Sequence, residues 1–251
     1  MAAGAVEQRL RQPALPGGFS EQDVQELPEP AQRHLRAVID PGASITQTVL
    51  LRMHGRIKVG RWLPFRAHQV LSPHRGFVWS ARAAGLISGW DRYIDGAGAM
   101  QWKLGGVITV ARGDGPDVSR SAAARAAAEA IWVPTALLPR CGVRWTSDGS
   151  DSATLHYDLD GQPMSVTYRF DEQGHLTALV FDRWGDPDNT GTWGWHRFGG
   201  EITNYRRFGD VLIPQAGRVG WHFGTERWPE GAFFEFAITE ARPYDATEAA
   251  A

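Results

Sequence analysis

One segment, residues 119–139, is strongly helical in a chain that otherwise consists of strand-like runs. Its sequence is SRSAAARAAAEAIWVPTALLP. Alanine has the highest helix propensity of all residues, and Pro134 stops or kinks a regular helix. Ser119 or Ser121 is a suitable N-cap. Because alanine is small, a sheet can approach such a helix closely, so we expect the strands to wrap around it.

The other segments alternate apolar and polar residues between turns rich in glycine, aspartate and proline, which is typical of antiparallel strands. We therefore expect an α+β fold, mostly antiparallel β, in which roughly ten strands form a strongly curved sheet or open barrel wrapped around a central helix. Residues 184–200 are glycine-rich and aromatic, and we expect them to form a loop at the edge of a cavity. The expected strands cover residues 46–59, 61–71, 77–84, 86–94, 99–110, 142–146, 153–158, 164–170, 176–183, 201–208, 211–223 and 232–241.

The chain divides into three parts. Residues 1–20 lack hydrophobic periodicity and residues 244–251 are small and polar, so we expect a disordered arm and a disordered tail. Residues 21–243 then form a single β-rich ligand-binding domain. Within it, residues 27–39 predict a short amphipathic helix that caps one end of the sheet.

Composition and charge argue against several partners. The formal net charge is −2, which favours neither a nucleic-acid-binding nor an anionic-membrane surface. Glu7, Arg9 and Arg11 interrupt the apolar core that a signal peptide needs, and no segment approaches the roughly 20 apolar residues of a membrane span. The one cysteine, Cys141, excludes an intrachain disulfide. We expect a cytoplasmic protein without an integral membrane segment, and the sequence leaves its oligomeric state open.

The segment GWDRYIDG carries the first group of candidate site residues. Asp91, Tyr93 and Asp95 fall on one face of the predicted strand because side chains alternate along a strand. If this face points inward, an apolar cavity raises the carboxyl pKa values and favours an acid/base pair. If it points outward, the carboxylates are solvated, and Asp95 is simply a turn residue.

The predicted helix carries the second group. Arg125 and Glu129 are four residues apart and share a face with Trp132. On an exposed helix they form a weak ion pair. On a helix enclosed by a sheet they form a buried pair, or they anchor the polar end of a ligand.

The histidines and the short motifs predict no metal and no cofactor. The eight histidines lack the spacing of metal ligands, and the chain has no nucleophile elbow and no phosphate-binding loop. The run GAGAMQ lacks the third glycine and the helix of a dinucleotide site. His222, on a predicted strand, and His196 are acid/base candidates, although a structural hydrogen bond is the simpler role for each.

Five segments occur in a recognisable order: GRIKVGRWLPFRAHQVL, GFVWSA, GWDRYIDGAGAM, EAIWVPTALLP and IPQAGRVGW. Together they resemble an uncharacterised bacterial family that carries only a domain-of-unknown-function label, numbered 6544 and later 6920. The resemblance spans about residues 27–243 and implies no activity. At the level of the fold, the expected sheet resembles the half-barrel of periplasmic lipoprotein carriers and their mycobacterial lipid-binding relatives, which hold acyl chains in the concavity. The family resemblance places emphasis, without roles, on Trp62, Trp79, Asp91, Tyr93, Gly96, Gly98, Glu129, Pro134, Arg183 and Trp221.

The eleven tryptophans fit either a thick core or the wall of a ligand site. We therefore expect binding of a hydrophobic small molecule or lipid-like metabolite in a Trp-lined cavity. The alternative is a cofactor-independent isomerase or cyclase that acts on an apolar biosynthetic intermediate by conformer control and acid/base catalysis. The candidate catalytic residues are Asp91, Tyr93, Glu129 and His222. The candidate ligand-binding residues are Trp62, Trp79, Trp90, Trp102, Arg125, Trp132, Arg183 and Trp221.

Overall fold

The structure, a computed structural model, describes residues 3–147 and 149–244. The helices in these residues are α1 (Ala3–Leu10), α2 (Glu29–Val38), α3 (Pro116–Ala128) and the short α4 (Trp228–Gly231). The strands are β1 (Leu15–Gly18), β2 (Ser44–Ile45), β3 (Val49–Val59), β4 (Arg61–Ser72), β5 (Gly76–Ala83), β6 (Ile87–Ile94), β7 (Ala97–Leu104), β8 (Ile108–Asp114), β9 (Arg144–Thr146), β10 (Ser152–Leu159), β11 (Gln162–Phe170), β12 (Leu176–Gly185), β13 (Gly194–Phe208), β14 (Val211–Trp221) and β15 (Ala232–Pro243).

Thirteen of the described strands form one antiparallel sheet in the order β8-β7-β6-β5-β4-β3-β15-β14-β13-β12-β11-β10-β9. The last strand, β15, pairs with β3 on one side and β14 on the other, so it joins the strands before α3 to those after it. The sheet is curved and does not close, because β8 and β9 remain edges. The mostly antiparallel, open, curved sheet is confirmed, but the estimate of roughly ten strands is wrong.

All twelve segments predicted as strands occur in the sheet, and the region expected as one strand over residues 99–110 supplies the thirteenth strand. This region is a hairpin of β7 and β8, whose turn contains Gly105 and Gly106. Both glycines have positive φ, 61° and 74°, and this backbone conformation reverses the chain.

Helix α3 lies against the concave face and contacts strands from both halves of the sheet, including β7 and β12. It begins at Pro116, before the serines expected as N-caps, because proline suits the first helical position. The Ser119 hydroxyl instead donates to the Gly115 carbonyl and accepts the Gly98 amide of β7. A Cβ on Gly98 would lie 2.7 Å from the Ser119 Cα, so this glycine permits the close approach of the helix.

The chain tightens into 3₁₀ turns after Ala128, over Glu129–Trp132 and Pro134–Leu137. Proline at the start of the second turn prevents the helix from continuing. The core between this region and the sheet is dense and aromatic, with Trp79, Tyr93 and Tyr168 almost fully buried.

The N-terminal segment is folded, so the expectation of a disordered arm is wrong for residues 3–20. Val6 and Leu10 of α1 are fully buried against Val70 and Val78, on the face of the sheet opposite α3. The spacing of four residues puts both side chains on one side of the helix. Helix α2 occurs where it was predicted. Of the expected tail, Tyr244 is buried and residues 245–251 lie outside the described residues.

About half of the expected loop over residues 184–200 is strand. Strand β12 runs to Gly185 and β13 starts at Gly194, so only residues 186–193 connect them. A Cβ on Gly185 would lie 2.3 Å from the Trp221 ring, which shows that this glycine makes room for an aromatic side chain. Strand β14 ends at Trp221, and His222 follows in a turn with a φ of 60°, rather than on a strand as predicted.

Candidate functional site

A cavity of about 160 Å³ lies between the concave face of the sheet and the end of α3. We call it the α3 cavity. Its wall is mainly apolar and comes from β3, β5 and β12–β15 together with the turn that follows α3. Four charged side chains, Asp91, Arg125, Glu129 and Arg183, also reach it. The apolar lining residues are Ile57, Trp79, Ala128, Ile131, Trp132, Leu179, Phe181, Phe198, Val219, Phe233, Phe234 and Phe236.

Arg125 joins two of the carboxylates in the cavity wall. Its Nη1 lies 2.9 Å from Oδ2 of Asp91 on β6, and its Nε lies 2.7 Å from Oε1 of Glu129. The guanidinium also lies 4.4 Å from the ring centroid of Phe77. The ion pairs therefore sit on an aromatic surface, where less water screens them.

The remaining carboxylate oxygens in this cluster also accept hydrogen bonds. Trp102 Nε1 donates to Oδ1 of Asp91 over 3.1 Å, and the Gln69 side-chain amide donates to Oε2 of Glu129. All four carboxylate oxygens are thus engaged. This arrangement fixes the orientation of both acids and of Arg125.

Arg183 of β12 has a different environment. Its guanidinium stacks on Phe198 at 4.7 Å and on Trp221 at 5.3 Å, and its Nε donates to the backbone carbonyl and the hydroxyl of Ser121. No described carboxylate lies within 4 Å of it. Burial, with a smaller effect of the Arg125 charge, lowers the pKa of Arg183 to about 10, so the side chain remains charged at neutral pH.

Two indole nitrogens at the cavity lack hydrogen bonds. Trp79 and Trp132 are 2% and 4% exposed, and the Nε1 atom of each has no acceptor among the described residues. Buried donors without acceptors are uncommon and cost stability. Both side chains line the α3 cavity, so the site combines an apolar wall with unpaired donors.

The sequence-predicted residues of the helix region come together here with Asp91 of β6, Trp79 of β5 and Arg183 of β12. Asp91, Arg125, Glu129, Trp132 and Arg183 line the cavity, as does Trp79. Trp102 packs behind Trp79 with ring centroids 5.6 Å apart, and Trp221 packs against Arg183. These two tryptophans support the wall without lining it.

Other candidates lie elsewhere. Tyr93 is fully buried but outside the cavity, and its hydroxyl accepts a hydrogen bond from Gln162. Desolvation, followed by the interaction with Asp160, raises the pKa of Tyr93. Asp95 is a turn residue with a φ of 49°, which agrees with the alternative that it serves only in the turn.

Trp62, Trp90 and His222 are also away from the cavity. Trp62 lies near the Arg56 and Arg218 guanidinium groups on the outer face of the sheet, and Trp90 lines a groove on that face. Both tryptophans therefore lie outside the α3 cavity, and ligand binding by them stays a prediction. His222 borders a separate polar groove, where burial and the Arg227 charge lower its pKa.

Sequence reasoning missed most of the apolar wall. Phe234 and Phe236 point inward from β15, and Phe181 and Phe198 pair across β12 and β13. The run AFFEF contained a usable signal, because alternate residues share a face of a strand. The described residues contain no cluster of three or more His, Cys, Asp or Glu side chains suited to a metal.

The open antiparallel sheet, the helix in its concavity and the apolar cavity beside that helix define a half-barrel protein with an internal cavity. The chain belongs to the Family of unknown function (DUF6544), whose model matches residues 17–233. The family resemblance drawn from the sequence is therefore confirmed. No curated protein matches the chain.

Two solved structures are similar in fold. One is a putative outer membrane lipoprotein-sorting protein domain from Vibrio parahaemolyticus, with 11% identity, a TM-score of 0.42 and coverage of 78% of this chain and 84% of that one. The other is a LolA superfamily protein from Nitrosomonas europaea, with 7% identity, a TM-score of 0.46 and coverage of 87% and 94%. At these TM-scores the likeness carries no conclusion about function. None of the helices in the described ranges is long and apolar enough to cross a bilayer.

Proposed function

We propose that the protein binds a hydrophobic small molecule or lipid-like metabolite in the α3 cavity. The observation that carries this proposal is the combination of an apolar wall with donors that lack acceptors. Ligand sites are typically apolar and contain a few polar groups that fix the orientation of the ligand. The α3 cavity has this composition.

The cavity volume limits the buried part of the ligand. About 160 Å³ is close to the volume of engineered apolar cavities that bind benzene. One ring or a short alkyl chain therefore fits inside. Ile57, Phe233 and Phe234 are only half-buried at the cavity, so a longer chain has a route past them toward solvent.

The unpaired donors define the polar end of the ligand. Trp79 and Trp132 each offer an unpaired indole N–H group, and Arg183, whose Nε already donates to Ser121, offers its remaining guanidinium N–H groups. None of these three side chains can accept a hydrogen bond. A ligand whose polar end accepts hydrogen bonds satisfies them. Gln69 Oε1 is an acceptor without a partner, but Gln69 does not line the cavity.

The charges at the cavity favour a neutral acceptor. Arg125 and Arg183 balance Asp91 and Glu129, so the four charged groups sum to zero. A ligand carboxylate adds an uncompensated negative charge in a poorly solvated site, which is costly. A ketone or ester carbonyl accepts the same hydrogen bonds without that cost.

Native mass spectrometry of the freshly purified protein tests for a co-purified apolar molecule. Calorimetric titration with the eight-carbon ligands 2-octanone, octanoate and octylamine then tests the polar end. We expect 2-octanone to bind most tightly and octylamine most weakly. The binding proposal fails if none of the three binds and no molecule co-purifies, whereas equal affinities contradict only the assignment of the polar end.

The variant Arg183→Met tests whether Arg183 binds the polar end of the ligand. Removal of a hydrogen bond from a charged donor costs about 1.5 kcal/mol or more, equivalent to about tenfold in affinity. We expect this loss for 2-octanone. Arg169→Met, which removes an exposed arginine from β11, is the control and should leave the affinity unchanged.

The alternative of a cofactor-independent isomerase or cyclase gains no support from the site. The four oxygens of Asp91 and Glu129 already accept hydrogen bonds, and His222 lies outside the cavity. Catalysis by these residues therefore stays a prediction from the sequence.

A further inference from the structure

The outer face of one half of the sheet is strongly basic. Strands β3–β8, residues 49–114, contain ten lysines and arginines but only three acidic residues, Asp91, Asp95 and Asp114, and Asp114 pairs with Arg112 at the β8 edge. Asp91 faces the α3 cavity, and Asp95 lies beside Arg9 and Arg75. The formal net charge of −2 for the whole chain therefore conceals a local excess of positive charge.

Three of these cations follow one row of the sheet. Arg66 of β4 lies directly opposite Arg82 of β5. On the other side of Arg82, Ser88 of β6 is its partner, and Ser88 also pairs with Lys103 of β7. Like charges directly opposite each other on neighbouring strands are destabilising. No described acidic side chain forms an ion pair with Arg66, Arg82 or Lys103. An external anion would remove this repulsion.

The cations border a broad concavity on the outer face, which we call the basic groove. Its volume is about 650 Å³, and it includes Arg52 and His68 but no acidic residue. At its border Arg52 pairs with Glu240, and His68 Nε2 lies 3.5 Å from Oε1 of Glu7 on α1. The groove is thus suited to several anionic groups at once, rather than to one small ion.

Exposed apolar side chains project beside the basic groove. Leu86 lies in the turn between β5 and β6, and Val107 and Ile108 lie where β7 turns into β8. They are 66%, 80% and 63% exposed. The Gly105 amide donates to the Leu86 carbonyl over 2.8 Å, so the two turns are adjacent. Val59, 59% exposed at the turn from β3 to β4, lies at the same end of the sheet.

We propose that the basic groove and these apolar turns dock on a membrane surface that carries anionic lipid headgroups. Lysine and arginine side chains are attracted to such a surface, and apolar side chains beside them enter the boundary between headgroups and acyl chains. A nucleic acid also binds cations, but it offers nothing to three exposed aliphatic residues. The apolar turns therefore favour a lipid surface.

This orientation places the α3 cavity close to the bilayer. Ile57, at the half-buried side of the cavity, is two residues from Val59 at the docking end. A hydrophobic ligand then passes between bilayer and cavity over a short distance. The docking surface itself does not depend on any ligand.

Co-sedimentation with vesicles tests the proposal. The full chain is mixed with vesicles of phosphatidylcholine alone, or with about one third phosphatidylglycerol, at low and physiological salt. We expect binding to the anionic vesicles that weakens with salt. The basic-groove variant combines Arg66→Gln, Arg82→Gln and Lys103→Gln, and it should bind the anionic vesicles roughly tenfold or more weakly. The serine variant combines Leu86→Ser, Val107→Ser and Ile108→Ser, and it should also bind these vesicles more weakly.

The control is Arg144→Gln with Arg169→Gln and Arg206→Gln, which removes the same charge from exposed positions on β9, β11 and β13. It should retain most of the vesicle binding. The proposal is overturned if anionic lipid does not improve binding, if the control loses as much as the basic-groove variant, or if the serine variant binds as tightly as the original chain. Binding of duplex DNA or RNA through the groove, without vesicle binding, also overturns it. Circular dichroism at matched temperatures establishes that each variant is folded.

Discussion

Arg125 of α3 and Asp91 of β6 form an ion pair with 2.9 Å between Nη1 and Oδ2, and this pair joins the helix to the sheet at the cavity wall. The same guanidinium holds Glu129. One arginine therefore pairs with two carboxylates that belong to different elements. The pairing has consequences for both stability and ligand binding.

Replacement of Arg125 by methionine should destabilise the fold strongly. It leaves Asp91 and Glu129 as neighbouring carboxylates without their cation, and loss of one partner of a buried pair costs about 3 kcal/mol. Urea unfolding at neutral pH measures this change. Asp91→Asn combined with Glu129→Gln and Arg125→Met should recover part of the loss because no unpaired charge remains. Equal stability of Arg125→Met and the original chain would contradict the structural role of the pair.

The buried His34 should make the fold sensitive to acid. Its Nδ1 lies 2.8 Å from the Gly174 carbonyl oxygen, and burial lowers the pKa of His34 to about 4. An unfolded histidine takes up a proton below about pH 6.5, so the free energy of unfolding falls as the pH drops from about 6.5 to about 4. The slope of the free energy of unfolding against pH approaches roughly 1.4 kcal/mol per pH unit. The contribution of the neutral, buried His34 to stability is fully present above this pH range.

His34→Gln tests that prediction. This variant should show a smaller difference between its urea midpoints at about pH 7.5 and about pH 5 than the original chain. His54→Gln changes an exposed histidine and should keep the original difference. An unchanged difference in His34→Gln would mean that other groups cause the acid sensitivity.

Cys141 should react slowly in the folded protein. Burial raises the pKa of its thiol to about 11, and the sulfur contacts the Thr135 carbonyl oxygen at 3.4 Å. Because the thiolate is the reactive form, we expect reaction with a thiol reagent near pH 8 to be roughly a hundredfold slower than that of an exposed cysteine. The denatured chain should react at the ordinary rate, and an equally fast reaction of the folded chain would contradict the burial of this thiol.

Local sequence signals predicted much of the fold. The amphipathic pattern of α2, the alanine content of α3 and the alternation along most strands act over a few residues, so one sequence is enough to find them. Helix α1 was not predicted from the sequence, because Val6 and Leu10 are stabilised by contact with Val70 and Val78, which are distant in sequence. Strand β8 was predicted only as the end of one strand over residues 99–110, and its apolar residues Ile108 and Val110 are exposed and do not follow a buried face.

The candidate site was predictable in part. The spacing of Arg125 and Glu129 indicated their contact, but the contact with Asp91 depends on where the helix crosses the sheet. Strand period alone places Trp90 on the face opposite Asp91, so the two residues were incompatible as members of one cavity. The net charge of the whole chain could not reveal a basic outer face. The single-domain assignment, the cytoplasmic location and the role of Tyr93 stay predictions.

Ligand titration of a cavity-filling variant tests the central claim most directly. Ala128 lines the α3 cavity, whereas Ala124, one turn earlier on the same helix, lines a separate groove beside Met164. Ala128→Leu occupies part of the cavity, and Ala124→Leu is the matched control. The account predicts that 2-octanone binds to the original chain and to Ala124→Leu with similar affinity, and at least about tenfold more weakly to Ala128→Leu, since a tenfold loss corresponds to about 1.4 kcal/mol. Equal affinity in all three proteins, each shown to be folded, would contradict binding in this cavity.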